Sequence, residues 1–168
     1  DIRKFLNTSQ PIWTYNSTDK YPVYCKNDVL HNITDDAVIF NRSLIFNKTG
    51  ASHWVVGDFY PHGNTTPFMI LVGGPGSLKT GWELILYQDE ASSCAVFNIS
   101  RTLTPIPFSW YELRVKESSL KRGPTPDCAN FYTEVLRHYH RISYGAYSKS
   151  CRRTAPSNDV PLNSARPK

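Results

Sequence analysis

A chain of 168 residues, 40% of them hydrophobic, is one domain's worth of sequence and long enough to bury a substantial core. Its longest apolar runs, "PFMILVGG" and "LILY", fall far short of the roughly 18 residues that cross a bilayer, which argues against a helical membrane span. The net charge of +5 gathers in the last third, with no basic stripe interleaved with base-stacking aromatics, so a solvated basic face is expected and a nucleic-acid partner is not.

In chain order, residues 1 to 6 allow a short helix, and Asp1 opens with no leader-like run, as expected of a mature secreted chain or a cytosolic one. From Pro11 to about Lys116 the chain is a series of short runs rich in Val, Ile, Phe, Tyr, Trp and Thr, divided by polar or Gly/Pro clusters. The predicted strands are "IWTYNST", "VYCKNDVLHNIT", "AVIFNRSLIFN", "HWVVGDFY", "PFMILVG", "WELILYQ", "CAVFNIS" and "FSWYELRVK". Such a succession predicts an all-β sandwich or barrel. After "GPTPD" the period changes: Tyr132, Val135, Leu136 and Tyr139 recur at helical spacing, which predicts one amphipathic helix over about 127–141, packed on the β body. The segment 152–168, with three prolines and few apolar residues, is expected to be a flexible basic tail, leaving 1–151 as a single domain.

Seven N-x-[ST] sequons occur, at Asn7, Asn16, Asn32, Asn41, Asn47, Asn64 and Asn98, where composition alone predicts about two. That excess points to a secretory pathway and a glycan-covered surface. Four widely spaced cysteines, Cys25, Cys94, Cys128 and Cys151, agree with that compartment and read as two disulfides with three possible connectivities. No C-x-x-C or H-x-x-x-H pair offers metal spacing, so neither a metal nor a cofactor is expected.

"LVGGPGSLKTGW" (71–82) superficially suggests a phosphate-binding loop, but Leu78 stands where the second glycine should be and a strand follows instead of a helix. It reads as a β-hairpin whose glycines permit the turn and whose Lys79 is solvated. No G-x-S-x-G elbow is present, and the alternating strands and helices of an α/β hydrolase are missing, so catalysis is not expected.

The spacing from Cys25 to Cys94 suits an immunoglobulin sandwich, but the next Trp after Cys25 is Trp54, position 92 is Ser, and the terminal helix does not fit. The order of eight strands and a helix held by cysteines, with "SWYEL" (109–113) in the last strand and "DCANFY" (127–132) opening the helix, resembles the salivary lipocalins of hard ticks, the histamine-binding-protein family. The resemblance covers about Ile12 to Cys151. It implies an eight-stranded antiparallel lipocalin-type barrel with a C-terminal helix and the bridges Cys25–Cys151 and Cys94–Cys128. It also implies a secreted, non-catalytic trap for host mediators such as biogenic amines, leukotrienes, fatty acids or sterols, with Glu112 turned inward toward the ligand.

Glycans must point outward and side chains alternate along a strand, so the sequons set the phase of each strand. Asn41 and Asn47 outward put Phe40, Arg42, Leu44 and Phe46 inward; Asn98 outward puts Phe97, Ile99, Arg101 and Leu103 inward; Asn16 outward puts Trp13 and Tyr15 inward. Trp110 and Arg114 share the side of Glu112. A buried Arg must meet a carboxylate, from the protein or from a ligand. Glu112 stands nearly alone among carboxylates placed inside, so an aromatic lining with two arginines favours a fatty-acid or eicosanoid anion, with a sterol also compatible. An amine trap is the alternative. A monomer acting on a host immune protein through its surface is the reading from another class.

Overall fold

The computed structural model describes residues 1–102 and 108–153; Leu103 and the predicted tail from 154 onward lie outside them. Ile2–Leu6 forms a short helix, α1, capped by the Asp1 carboxylate, which accepts from the Lys4 amide at 3.1 Å. Eight strands follow: β1 (Ile12–Ser17), β2 (Tyr24–Ile33), β3 (Ala37–Phe46), β4 (Thr49–Tyr60), β5 (Met69–Gly73), β6 (Lys79–Gln88), β7 (Cys94–Arg101) and β8 (Phe108–Lys116). Each pairs antiparallel with the next, β8 returns to β1, and the pairs Ile12↔Asp28 and Trp13↔Asn27 join β1 to β2 and close the barrel. A two-residue strand, β9 (Tyr144–Gly145), adds to the far end of β1.

The helix α2 (Pro126–His138) begins where the period changes. Thr125 caps it, its hydroxyl accepting from the Cys128 amide, and Pro126 occupies the first turn, where its missing N–H costs nothing. Cys128, Tyr132 and Val135, one face of the helix, are buried against the outside of β7 and β8.

Two apolar clusters result. Inside the barrel, Ile2, Phe5 and Leu6 of α1 plug one end and pack with Val38, Phe40, Phe59, Ile70 and Phe97. Outside it, Val96, Tyr111, Leu113 and Val115 of the wall meet Cys128, Tyr132 and Val135. The disulfides Cys94–Cys128 and Cys25–Cys151 fasten this outer layer, the first joining helix to wall and the second joining the chain beyond β9 to β2.

Trp13 and Tyr15 belong to the outer cluster, which corrects their expected inward placement. The cause is a β-bulge between Thr14 and Asn16: Trp13 pairs with Val115, Thr14 with Arg114, and Asn16 with Leu113, so one extra residue reverses the phase. Trp13 meets Tyr147 edge-on at 5.3 Å, and Tyr15 stacks on Tyr147 at 6.0 Å. The "GGPGSLKT" stretch is the β5–β6 hairpin. A Cβ on Gly81 would lie 2.1 Å from the Ser100 carbonyl oxygen, and one on Gly73 would lie 2.6 Å from that of Leu78, so both positions require glycine. Lys79 is half-buried, its ammonium 2.8 Å from Asp58, and so is paired where solvation was expected.

The sequon asparagines differ in access. Asn7, Asn32, Asn47 and Asn64 are exposed, Asn16 and Asn41 are half-buried, and Asn98 is only 9% exposed, beside Tyr111 where that ring stacks on Tyr139. Glycopeptide mapping of protein secreted from eukaryotic cells should find glycan at the four exposed sites and none at Asn98; full occupancy of Asn98 would contradict this packing. The bridges close sequence separations of 126 and 34 residues. Replacing Cys25 and Cys151 together by Ser should cost about 2 to 5 kcal/mol in urea unfolding.

Candidate ligand-binding site

The site is set by alternation on β8. Tyr111, Leu113 and Val115 face outward, so Trp110, Glu112 and Arg114 face the barrel axis. β2 sends in Lys26 and Asp28, β3 sends Arg42, and β6 sends Glu83. These groups interlock. Arg42 donates to both Asp28 oxygens at 2.7 Å and to Glu83 at 2.7 Å. Arg114 donates to Glu83 at 2.7 Å and to Glu112 at 2.8 Å. Lys26 is 2.6 Å from Glu112, which also accepts from Trp110 Nε1 at 2.9 Å and from the Thr14 hydroxyl at 3.3 Å.

Three cations and three carboxylates thus form one neutral layer across the barrel, with Glu83 and Glu112 fully inaccessible and Arg114 1% exposed. Burial alone would raise the Glu112 carboxyl, but Lys26 and Arg114 beside it hold it down to about 2. Glu83 is likewise held well below the carboxylate range, by Arg114 and Arg42, against the effect of burial. The arginine faces also lie on aromatic rings, Arg114 over Phe97 at 4.4 Å and Arg42 over Phe40 at 5.1 Å.

Below the layer α1 and the inner apolar cluster pack together, and the void beside α1, lined by Leu6, Ile12, Val38 and Phe40, is about 10 Å3. Above it lies a cavity of about 480 Å3, open toward the hairpins β3–β4 and β5–β6. That volume is within the roughly 300 to 1,000 Å3 of small-molecule sites. Leu44, Val55, Val72, Ile99 and Trp110 supply apolar wall; Lys26, Arg42 and Glu83 form the floor; Asp19, His53 and Arg101 stand toward the mouth.

Of the residues expected to line a pocket, Arg42, Leu44, Ile99, Arg101 and Trp110 reach the cavity. Phe40 and Phe97 belong to the packed core, Phe46 is exposed, and Glu112 lies within the ionic layer as the partner of Lys26 and Arg114. The expectation that Glu112 is nearly alone among inward carboxylates is corrected by Asp28 and Glu83. The signal for them was the count of inward arginines, each of which demanded a partner.

Asp19 and Arg101 differ from the rest. Neither forms an ion pair among the described residues. Asp19 is 8% exposed, and burial raises its pKa above the ordinary value, opposed by the hydrogen bond from the Tyr21 amide. Arg101 lies over the Trp110 ring at 5.5 Å. His53 is pushed down by burial and by the Arg42 charge.

The ionic layer ties stability to acid. Glu112 has a folded pKa of about 2 against an ordinary 4.5, so its contribution is complete above 4.5 and is lost as the pH falls toward 2. Glu83 acts in the same direction. The thermal midpoint should be steady near neutrality and drop steeply below about pH 4.5; a midpoint unchanged down to pH 2 would mean that the layer is not ionised as described.

No protein-family model matches the sequence, and no curated protein matches it. Solved structures do. The crystal structure of the AM182 serotonin complex has a TM-score of 0.65 at 18% identity, covering 89% of this chain and 91% of that one. The siderocalin Ex-FABP, described as having dual ligand specificities, gives 0.61 at 9% identity over 84% and 90% of the two chains. Japanin from Rhipicephalus appendiculatus, bound to cholesterol, gives 0.51 at 16% identity over 75% and 87%. With these likenesses, the closed eight-stranded barrel, its packed C-terminal helix and its two disulfides are a lipocalin-type fold.

Proposed function

We propose that the protein is a secreted, non-catalytic trap for one compact amphipathic molecule held between the ionic layer and the barrel mouth, related in role to the tick salivary lipocalins that its sequence resembles. Residues 1–151 serve as one binding domain. The observation that carries this reading is the cavity itself: about 480 Å3 of space with apolar walls, a neutral floor and one unpaired guanidinium toward the mouth. Arg42 is satisfied by Asp28 and Glu83, so it offers no free charge to a ligand. Arg101 remains. A fatty-acid or eicosanoid type of ligand places its hydrocarbon against Leu44, Val55, Val72 and Ile99 and its carboxylate on Arg101. A sterol fits the same walls.

A second reading is favoured by Asp19. A carboxylate this buried, with no cationic partner among the described residues, suits an ammonium, and the AM182 structure similar to this chain is a serotonin complex. Titration calorimetry with fatty acids, a sterol, serotonin and histamine separates the two. For a carboxylate ligand, Arg101→Gln should weaken binding roughly ten- to a hundred-fold and Asp19→Asn little, from the usual strength of a charged hydrogen bond. For an amine the two variants exchange roles. Absence of uptake of any of these ligands would refute the trap and favour recognition of a host protein through the surface.

A further inference from the structure

Lys26 is unusual among the nine lysines of the chain. It is 4% exposed, it lines the floor of the cavity, and its ammonium meets one carboxylate, Glu112, at 2.6 Å. We propose that Lys26 is a covalent capture site for small ligands that carry an aldehyde, which it binds as a protonated imine with Glu112 as counter-ion. The inference rests on the reading of the cavity as a ligand site and adds a chemical class to it.

Three observations support it. The first is access: the side chain stands at the floor of the 480 Å3 cavity, so an aldehyde carried on an apolar body between Leu44, Val55 and Ile99 arrives with its carbonyl at the nitrogen. The second is nucleophilicity. Burial lowers the Lys26 pKa and the Arg42 charge lowers it further, which enlarges the fraction of free amine; a desolvated lysine beside another cation is the usual setting for imine chemistry. The third is charge balance. The amine adds to the carbonyl carbon, the carbinolamine loses its hydroxyl as water, and the nitrogen ends as an iminium. Starting from the ammonium, the net change is aldehyde plus ammonium giving iminium plus water. One positive charge therefore remains opposite Glu112, and the neutral layer of Lys26, Arg42, Arg114, Asp28, Glu83 and Glu112 stays neutral. No oxidant or metal is required. A surface lysine lacks the buried counter-ion that would hold its iminium protonated.

The test uses the intact disulfide-bonded chain with retinal as the aldehyde and retinol as the non-reactive analogue. Incubation with retinal should shift its absorbance to the red, as a protonated imine requires. Reduction with cyanoborohydride followed by peptide mapping should place the adduct on Lys26, formed roughly tenfold or more faster than on any other lysine, since the bound aldehyde is held beside it. Saturating retinol should slow labelling of Lys26 and leave surface labelling unchanged. The variant Lys26→Arg, which keeps the charge beside Glu112, should form no pocket adduct. If retinol binds but Lys26 is labelled no faster than the surface lysines, the capture site is overturned while the cavity reading stands. If retinol does not bind and Lys26 is labelled no faster than the surface lysines, the capture site is again overturned, and the cavity reading is decided by the calorimetry with fatty acids, a sterol, serotonin and histamine.

Discussion

The barrel is organised by one constraint: six charged groups buried on its axis must neutralise one another. Removing a single partner from such an arrangement leaves an uncompensated charge and costs about 3–5 kcal/mol. Each group is therefore fixed by the others: Asp28 and Glu83 hold Arg42, while Glu83 and Glu112 hold Arg114. The layer also divides the interior. Below it, α1 and the rings of Phe5, Phe40, Phe59 and Phe97 pack together; above it lies the cavity. The space left open is one end of the barrel rather than its whole length.

The outside of the wall is organised by a second demand, that β1, β7 and β8 be buried on both faces. Trp13, Val96, Leu113 and Val115 face α2 while Thr14, Phe97, Glu112 and Arg114 face the interior. The bulge at Tyr15 reconciles the two. It lets Thr14 donate to Glu112 within the barrel and still brings Asn16 out beside the Tyr144 carbonyl. The disulfide at Cys94 enters this layer at its lower end, so helix and wall are joined where the ionic layer also anchors β8.

Much of this was legible in the residues. Alternation of β-branched and aromatic residues with polar ones marked eight strands, and Tyr132, Val135 and Leu136 marked the helix, because period is a local property. The inward faces of β3 and β7 followed from Asn41 and Asn98, and that of β8 from the resemblance that turns Glu112 inward, since those strands run without a bulge between the marker and the residues inferred. Trp13 failed because a bulge is decided by cross-strand pairing that one strand does not reveal. Asp28 escaped notice for the same reason: β2 carries register shifts on both sides of it, and its own sequon, Asn32, lies beyond one of them. Glu83 sits in a strand with no sequon to set its phase. The half-filled interior was not legible at all, because it depends on how α1, remote in sequence from β7, closes one end.

For the ligand trap proposed above, a neutral floor has a consequence for selectivity. Had the arginines been unpaired, as their inward phase alone suggested, the cavity would have carried a strong positive potential and selected anions throughout its depth. Paired, they contribute little net field to a ligand above them, and the floor offers oriented polar groups without demanding a counter-charge. Discrimination by charge then falls to Asp19 and Arg101, one of each sign, placed where solvent screens them unequally: Asp19 is nearly covered and Arg101 is exposed. Gly73 and Gly81 border the cavity where their backbones approach those of Leu78 and Ser100 too closely for a side chain. Replacement of a few side chains near the mouth can therefore change the preferred ligand without disturbing the layer on which the barrel depends.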